Sequence, residues 1–209
     1  MRIFLVRHGN TFGPGDKVVW VGARTDLDLT PEGRAQAKAV GKALKFLGAA
    51  PGALYFGPLK RTVQSAEEIN ELFGLSPDRC HVCEELREID YGTWEGRSND
   101  DIRADHGSEA IDGWQKRNVW PDGFNWSPSL DRIKANWAGL IGRVIAGREE
   151  GDAVIVSSNG IFKLVAEELG IPKENAKMAT GSISVLNVSE TGVISVELWS
   201  QRPGQILPD

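Results

Sequence analysis

An α/β fold is predicted, a three-layer αβα sandwich built on a mainly parallel sheet with an antiparallel edge strand. Three observations carry it. Short apolar runs, Ile3-Phe4-Leu5-Val6, Ala53-Leu54-Tyr55-Phe56 and Ala153-Val154-Ile155-Val156, are bounded by polar or turn residues, as strands buried on both faces must be. Helix-spaced apolar residues follow such runs, and this alternation calls for crossovers that lay helices on both faces of a parallel sheet. Near the C-terminus, residues 185–188 and 193–198 flank Glu190-Thr191-Gly192 as a hairpin, which makes the sheet mixed. No linker, repeat or low-complexity tract divides the 209 residues, so residues 1–209 are expected to form a single domain with a full core.

The elements follow in order. The first strand stops at Arg7-His8-Gly9, and residues 9–29 read as a loop because Gly and Pro recur without a helical period. Thr30 is placed as an N-cap with Pro31 at the first helical position, and Ala35, Ala39, Val40, Ala43 and Phe46 give the helix an apolar face ending near Gly48. After the strand at 53–56, Gly57-Pro58 turns the chain into a helix over residues 59–73. Residues 81–84 make a short third strand, followed by a polar stretch, 86–96. Residues 97–128 carry Trp114, Trp120 and Trp126 with few periodic runs. From Leu130 to Ala146 the face of Ile133, Trp137, Leu140, Ile141 and Val144 returns to helix. The strand at 153–156 leads to a helix over 161–169, and the tail, 202–209, is expected to be loose.

Apolar and charged fractions of 41% and 25% are those of a soluble globular protein. A net charge of -5 argues against nucleic acid or an anionic membrane as partner, though not against a small anion held by a local arginine cluster. No run reaches membrane-span length and no signal-peptide pattern opens the chain, so a cytoplasmic location is expected. Cys80 and Cys83 are half of a zinc site with no second pair to complete it, and are expected to be reduced structural thiols.

Four strand ends could carry chemistry, since ligands of open α/β sheets bind at the carboxyl edge. The first is Arg7-His8-Gly9. The second is Gly57-Pro58-Leu59-Lys60-Arg61-Thr62, with Arg61 in the first turn of a helix. A helix start disfavours a cation by ~0.3–1 kcal/mol, so Arg61 is either solvated or shares an anionic ligand with the helix amides. The third, residues 86–96, holds Glu88, Asp90 and Glu95 with two glycines. The fourth is Ser157-Ser158-Asn159-Gly160, where the helical periodicity that follows argues against an Asn-Gly hairpin.

These segments resemble the histidine phosphatase superfamily, which includes the cofactor-dependent phosphoglycerate mutases and many small phosphomonoesterases. Leu5-Val6-Arg7-His8-Gly9 matches its opening motif. Gly22, Asp26 and Leu29-Thr30 through Gly33-Arg34-Ala35-Gln36-Ala37 match the stretch that follows. Gly57 through Ala66 is similar to its Ser-Pro-Leu-x-Arg-Ala-x-Gln-Thr-Ala helix start, and Leu86-Arg87-Glu88 through Gly92-Thr93-Trp94-Glu95-Gly96 to its Leu-x-Glu-x-x-x-Gly-x-Trp-Glu-Gly segment.

The resemblance implies a phosphomonoesterase hydrolysing small-molecule phosphate esters through a phosphohistidine on His8. Arg7 and Arg61 would clamp the phosphate oxygens, and Glu88 would protonate the leaving alkoxide and then accept a proton from water. Asn10, Thr11, Gly22, Tyr91 and Gly160 are expected to contact the substrate. No metal and no cofactor are expected, because the arginines do what a divalent cation does elsewhere in phosphoryl transfer. The expected partner is a small-molecule phosphate ester, with no nucleic acid and no membrane, and a homodimer stays open.

Two departures matter. Where the family usually has a second His, in a Ser-His-Gly context, this chain has Asn159. Losing a transition-state donor costs ~2.7–4 kcal/mol, and trading a charged donor for a neutral one roughly half of that, so a slower enzyme is expected rather than a dead one. The alternative is a pseudoenzyme that binds phosphate esters with little turnover. A phosphoglycerate mutase is third, because Phe12-Gly13-Pro14 stands where the mutases carry a Trp-Asn pair and the chain is shorter than theirs. The segment at about 97–128 lies where the family varies and often folds over the site. Its Trp114, Trp120, Phe124 and Trp126 would either rim a substrate pocket or pack a small core of their own.

Overall fold

The structure, a computed structural model, describes residues 1–208. Six strands form its sheet: β1 (Arg2–Arg7), β2 (Pro51–Phe56), β3 (Cys80–Val82), β4 (Asp152–Ser157), β5 (Ile183–Val188) and β6 (Ile194–Gln201). Their order is β3-β2-β4-β1-β5-β6. Pairings β3-β2, β2-β4 and β4-β1 are parallel; β1-β5 and β5-β6 are antiparallel. The edge strand β6 thus pairs antiparallel with its neighbour, and β5 alone runs against the others.

The helices are α1 (Pro31–Phe46), α2 (Lys60–Phe73), α3 (Asn99–His106), α4 (Glu109–Arg117), α5 (Leu130–Ala146), α6 (Asn159–Glu168) and α7 (Pro203–Ile206). Alternation along the central strands decides which face each covers. Phe4 and Val6 of β1, with Val154 and Val156 of β4, point to one face and pack with Val40 and Leu44 of α1 and Ile69 of α2. Ile3, Leu5 and Ile155 point to the other and pack with Leu140 and Ile141 of α5 and with Ile161, Phe162 and Val165 of α6. Helices therefore leave β1 and β2 toward one face and β4 toward the other, which opens a crevice at the carboxyl ends of the central strands.

Local chemistry explains most boundaries. Thr30 Oγ1 accepts from the Gly33 amide at 3.0 Å and caps α1, with Pro31 in the first turn. The cap residue of α2, Leu59, has no side-chain oxygen to offer. Asp26 Oδ1, from the long loop, instead accepts from the Lys60 amide at 2.7 Å. Gly9 and Gly33 let the β1 end lie against α1. A Cβ on Gly9 would sit 2.2 Å from the Gly33 carbonyl oxygen, and one on Gly33 2.2 Å from the Asn10 oxygen.

Four expectations are corrected. The third strand covers Cys80–Val82 rather than 81–84: the Cys83 amide makes the last bond to β2, to the Phe56 carbonyl at 2.8 Å, and a single helical turn over Glu84–Leu86 then takes the chain away. The helix after β4 starts at Asn159, two residues early, since Ser158 is extended and serves as its cap residue. The 97–128 segment holds α3, opened by a Ser98–Asp101 capping box, and α4. The tail is not loose. Residues 203–206 form α7, and Ile206 and Leu207 pack against the cluster containing α1; Asp209 lies outside the described residues. Cys80 and Cys83 are free, and burial pushes the Cys83 thiol up to about 11, so it stays protonated at neutral pH. Among the described residues no helix is long and apolar enough to cross a membrane.

Candidate active site

The carboxyl ends of β1 and β4 and the first turns of α2 and α6 meet at a cleft of about 980 Å³, lined by Arg7, His8, Asn10, Thr11, Arg61, Glu88, Tyr91 and Asn159 among others. Arg7 closes β1, so the pleat that sends Leu5 to the core also fixes where His8 emerges. The His8 amide donates to the Ser157 carbonyl of β4 at 3.1 Å. The His8 side chain, 6% exposed, places Nδ1 2.7 Å from the Gly9 carbonyl oxygen. A carbonyl can only accept, so Nδ1 carries the proton and Nε2 keeps its lone pair. Burial first, then the Arg61 and Arg7 charges, hold the imidazole pKa well below its ordinary value, and the ring is neutral at pH 7.

Two guanidinium groups flank the ring. Arg61 is buried, and its Nη1 and Nη2 donate to the carbonyls of Thr25 and Gly22 at 3.0 and 3.1 Å. Those anchors leave further N–H groups for a ligand, since a guanidinium has five. Arg7 Nη1 donates to the Met178 carbonyl at 2.6 Å, while its buried Nε has no hydrogen-bond partner among the described residues. Burial lowers the Arg7 pKa to about 10, which leaves it charged at neutral pH.

Glu88 is 5% exposed. Its Oε1 accepts from the Ile89 amide at 2.9 Å and its Oε2 from the Gly160 amide at 3.1 Å. Burial raises its pKa above the usual carboxylate value, with Arg61 opposing, so the protonated form persists to higher pH than in water. The neighbouring Tyr91 hydroxyl is also buried, and burial together with the Glu88 carboxylate pushes its pKa well up. Asn159 opens α6, and its Oδ1 accepts from the Met178 amide at 3.1 Å. That bond orients the side-chain amide and leaves Nδ2 as the group able to donate into the cleft.

Arg7, His8, Asn10, Thr11, Arg61, Glu88, Tyr91 and Asn159 are thus brought together on one cleft. Gly22 and Gly160 are not among its lining residues. Gly22 holds Arg61 by its carbonyl and Gly160 holds Glu88 by its amide. A Cβ on Gly160 would meet Glu88 Oε1 at 2.3 Å and the Tyr91 hydroxyl at 2.4 Å. Trp114 lines the cleft, but Trp120, Phe124 and Trp126 do not. Trp126 instead meets Tyr91, Trp94, Trp114 and Trp120 edge-on, with ring centroids 4.8–5.2 Å apart. The segment's aromatics are mostly core.

Among the residues that the sequence does not single out are Ser65 and Lys163. Ser65, fully buried, accepts from the Gly9 amide at 3.3 Å and donates to the Arg61 carbonyl at 2.8 Å, tying the His8 loop to α2. Its signal was its place one turn after Arg61. Lys163 also lines the cleft; a single cation inside Ile161-Phe162-Lys163-Leu164-Val165 was the available sign. Among the described residues no group of three or more His, Cys, Asp or Glu is placed to hold a metal ion.

Comparison with known proteins gives the family and the fold. The family model described as "Histidine phosphatase superfamily (branch 1)" matches residues 3–201. A 2,3-bisphosphoglycerate-dependent phosphoglycerate mutase of Brucella anthropi is 32% identical over 160 residues, which cover 76% of this chain and 75% of that protein. The mutase of Mesorhizobium japonicum is 34% identical over 122 residues, and the matched stretch spans 58% of its length, less than two thirds. Among solved structures, a mycobacterial glucosyl-3-phosphoglycerate phosphatase superposes with a TM-score of 0.77 at 24% identity, covering 96% of this chain and 99% of that one. An alpha-ribazole phosphatase from Shigella flexneri does so with a TM-score of 0.74 at 22% identity, covering 97% of each chain. At such identities these two likenesses bear on the fold.

Proposed function

The chain belongs to the histidine phosphatase superfamily, and from that premise we propose that it is a phosphomonoesterase acting on small-molecule phosphate esters through a phosphohistidine on His8. The observation that carries this reading is the His8 tautomer. With Nδ1–H held by the Gly9 carbonyl, the bare Nε2 is a nucleophile that needs no separate base.

In the first half-reaction Nε2 bonds to phosphorus and the ester P–O bond breaks. The Glu88 proton passes to the leaving oxygen, so that no free alkoxide forms. Arg7 and Arg61 take the equatorial oxygens, whose charge is spread in the transition state. In the second half water attacks phosphorus, Glu88 accepts its proton, and the P–N bond breaks to restore neutral His8. The raised pKa of Glu88 suits the acid role, and the depressed pKa of His8 suits the nucleophile. Asn159 stands where relatives usually place a second His, and its Nδ2 offers one neutral hydrogen bond to a phosphoryl oxygen. Turnover is accordingly slower than with a charged donor.

A panel of phosphate esters assayed with wild type and His8→Ala tests the mechanism. Phosphate release is expected from wild type and not from the variant, and release unaffected by the substitution would overturn it. Retained phosphate binding without turnover in wild type would support the pseudoenzyme instead. Replacing Asn159→His tests the assignment of slow turnover: a gain supports it, and no gain means the site is built around Asn. The mutase relatives favour a second reading, phosphoryl transfer between phosphoglycerates. Isotope exchange between two phosphoglycerates without release of inorganic phosphate would select it.

A further inference from the structure

Beyond the reacting groups, the cleft wall holds cations that the phosphoryl chemistry does not use. Lys163 of α6 is 2% exposed. Among the described residues no carboxylate pairs with it. Its Nζ donates to the Trp114 carbonyl and lies 4.3 Å from the centroid of the Trp114 ring. The neighbours of Lys163 in the sequence of α6, Ile161, Phe162, Leu164 and Val165, are buried and apolar, so the helix does not need a charge there to be covered. A desolvated ammonium without a counter-ion is unfavourable, so the position makes sense when something anionic faces it.

Lys177 lines the same cleft and, after burial, is the charge that most disfavours the Lys163 ammonium, which together they bring down to about 8. Nearby, Arg103 and Lys116 share one carboxylate, Asp112, at 3.1 and 3.0 Å. The cleft is therefore lined by six Lys and Arg residues against Glu88 and Asp100, in a chain whose net charge is -5. Sequence spacing places these cations relative to the reaction. Asn159 and Lys163 stand four residues apart on α6, hence on one face and ~6 Å apart along the axis.

We propose that Lys163 and Lys177 form a second anion-binding subsite, and that the substrate is a compact phosphomonoester carrying a second anionic group, carboxylate or phosphate, a few bonds from the ester being cleaved. This deepens the phosphatase reading and rests on it. Arg7 and Arg61 are taken up by the transferred group, so the second anion has partners of its own. Its charge offsets both the Lys163–Lys177 repulsion and the missing counter-ion.

Three esters that differ in one group test the subsite: ethyl phosphate, phosphoglycolate and ethylene glycol bisphosphate. Wild type is expected to favour the two-anion esters in kcat/KM by roughly tenfold or more, the yield of one charge-assisted contact. Lys163→Met is expected to remove that preference through KM. Lys177→Gln, at an exposed position where folding is not at stake, is expected to weaken it as well. Which of the two anions gains more identifies the second group. Equal kcat/KM for all three esters in wild type, or a preference that survives both substitutions, would overturn the subsite and leave the phosphatase reading intact. Turnover of none of them would count against the phosphatase reading itself. Calorimetric titration of the same esters then decides the subsite: tighter binding of the two-anion esters, lost in both variants, supports it, and equal binding overturns it.

Discussion

Glu88 and His8 lie within one buried cleft, and their proton affinities are pushed in opposite directions. Burial disfavours the charged form of each, which raises an acid and lowers a base. The sign for activity follows. The free enzyme is competent when His8 is neutral and Glu88 protonated, so kcat/KM falls below the depressed His8 pKa and falls again above the raised Glu88 pKa. A pH profile on an alkyl phosphate is expected to be bell-shaped, with an acidic limb below the ordinary imidazole value. An acidic limb at or above that value would contradict the placement of His8. Glu88→Gln keeps the shape and removes the proton. General-acid catalysis is worth ~10²–10⁴, and an alkyl phosphate should lose close to that whole factor. Nitrophenyl phosphate, whose leaving group departs unprotonated, should lose far less. Equal losses on the two esters would remove Glu88 from the acid role.

At the scale of elements, the site depends on close approaches that side chains would block. Gly33 of α1 lies against the chain just after His8, and a Cβ there would stand 2.2 Å from the Asn10 carbonyl oxygen. Gly33→Ala is expected to force α1 off β1 at a cost of ~1–3 kcal/mol, the usual range for overpacking, and to lower kcat through the displaced His8 loop. Chemical denaturation and steady-state kinetics on one sample check both parts. Strands β1, β2 and β4 were legible in the sequence because burial on two faces makes them unbroken apolar runs. Helix α3 was not, since only Ile102 is buried in it; its polar remainder shows no period, and Ser98 with Asp101 was the sole local sign. Gly22 and Gly160 stand in the motif segments, which is why the sequence points to them as substrate contacts. Their backbone roles toward Arg61 and Glu88 become visible only once loop and helix are placed in three dimensions. Lys163 was hidden for the same reason, because which face of α6 borders the cleft is decided by the sandwich and not by the helix.

For the whole molecule, the contrast between an acidic chain and a cationic cleft has a kinetic meaning. Field lines from the chain's net charge of -5 repel a phosphate ester at a distance, while the cleft draws it in at short range. Raising ionic strength from about 0.01 M to about 0.15 M shortens the screening length from ~30 Å to ~8 Å. Of the two effects the cleft is the nearer, and its low-dielectric walls concentrate its field. Added salt is therefore expected to lower kcat/KM for phosphate esters severalfold and to leave kcat nearly unchanged. Kinetics across a sodium chloride series measure both, and a kcat/KM that rises with salt would show that long-range repulsion dominates.

The aromatic packing beside the cleft has an optical consequence. Trp20, Trp94, Trp114, Trp120 and Trp126 form a chain of rings 4.9–6.1 Å apart, close enough for excitation to migrate among them. One member, Trp114, has the Lys163 ammonium over its face. An anion drawn to that ammonium changes the field on an indole that collects light from its neighbours. The protein thus carries an intrinsic fluorescence reporter next to its cleft, and ligand occupancy should register as a change in emission without any added label.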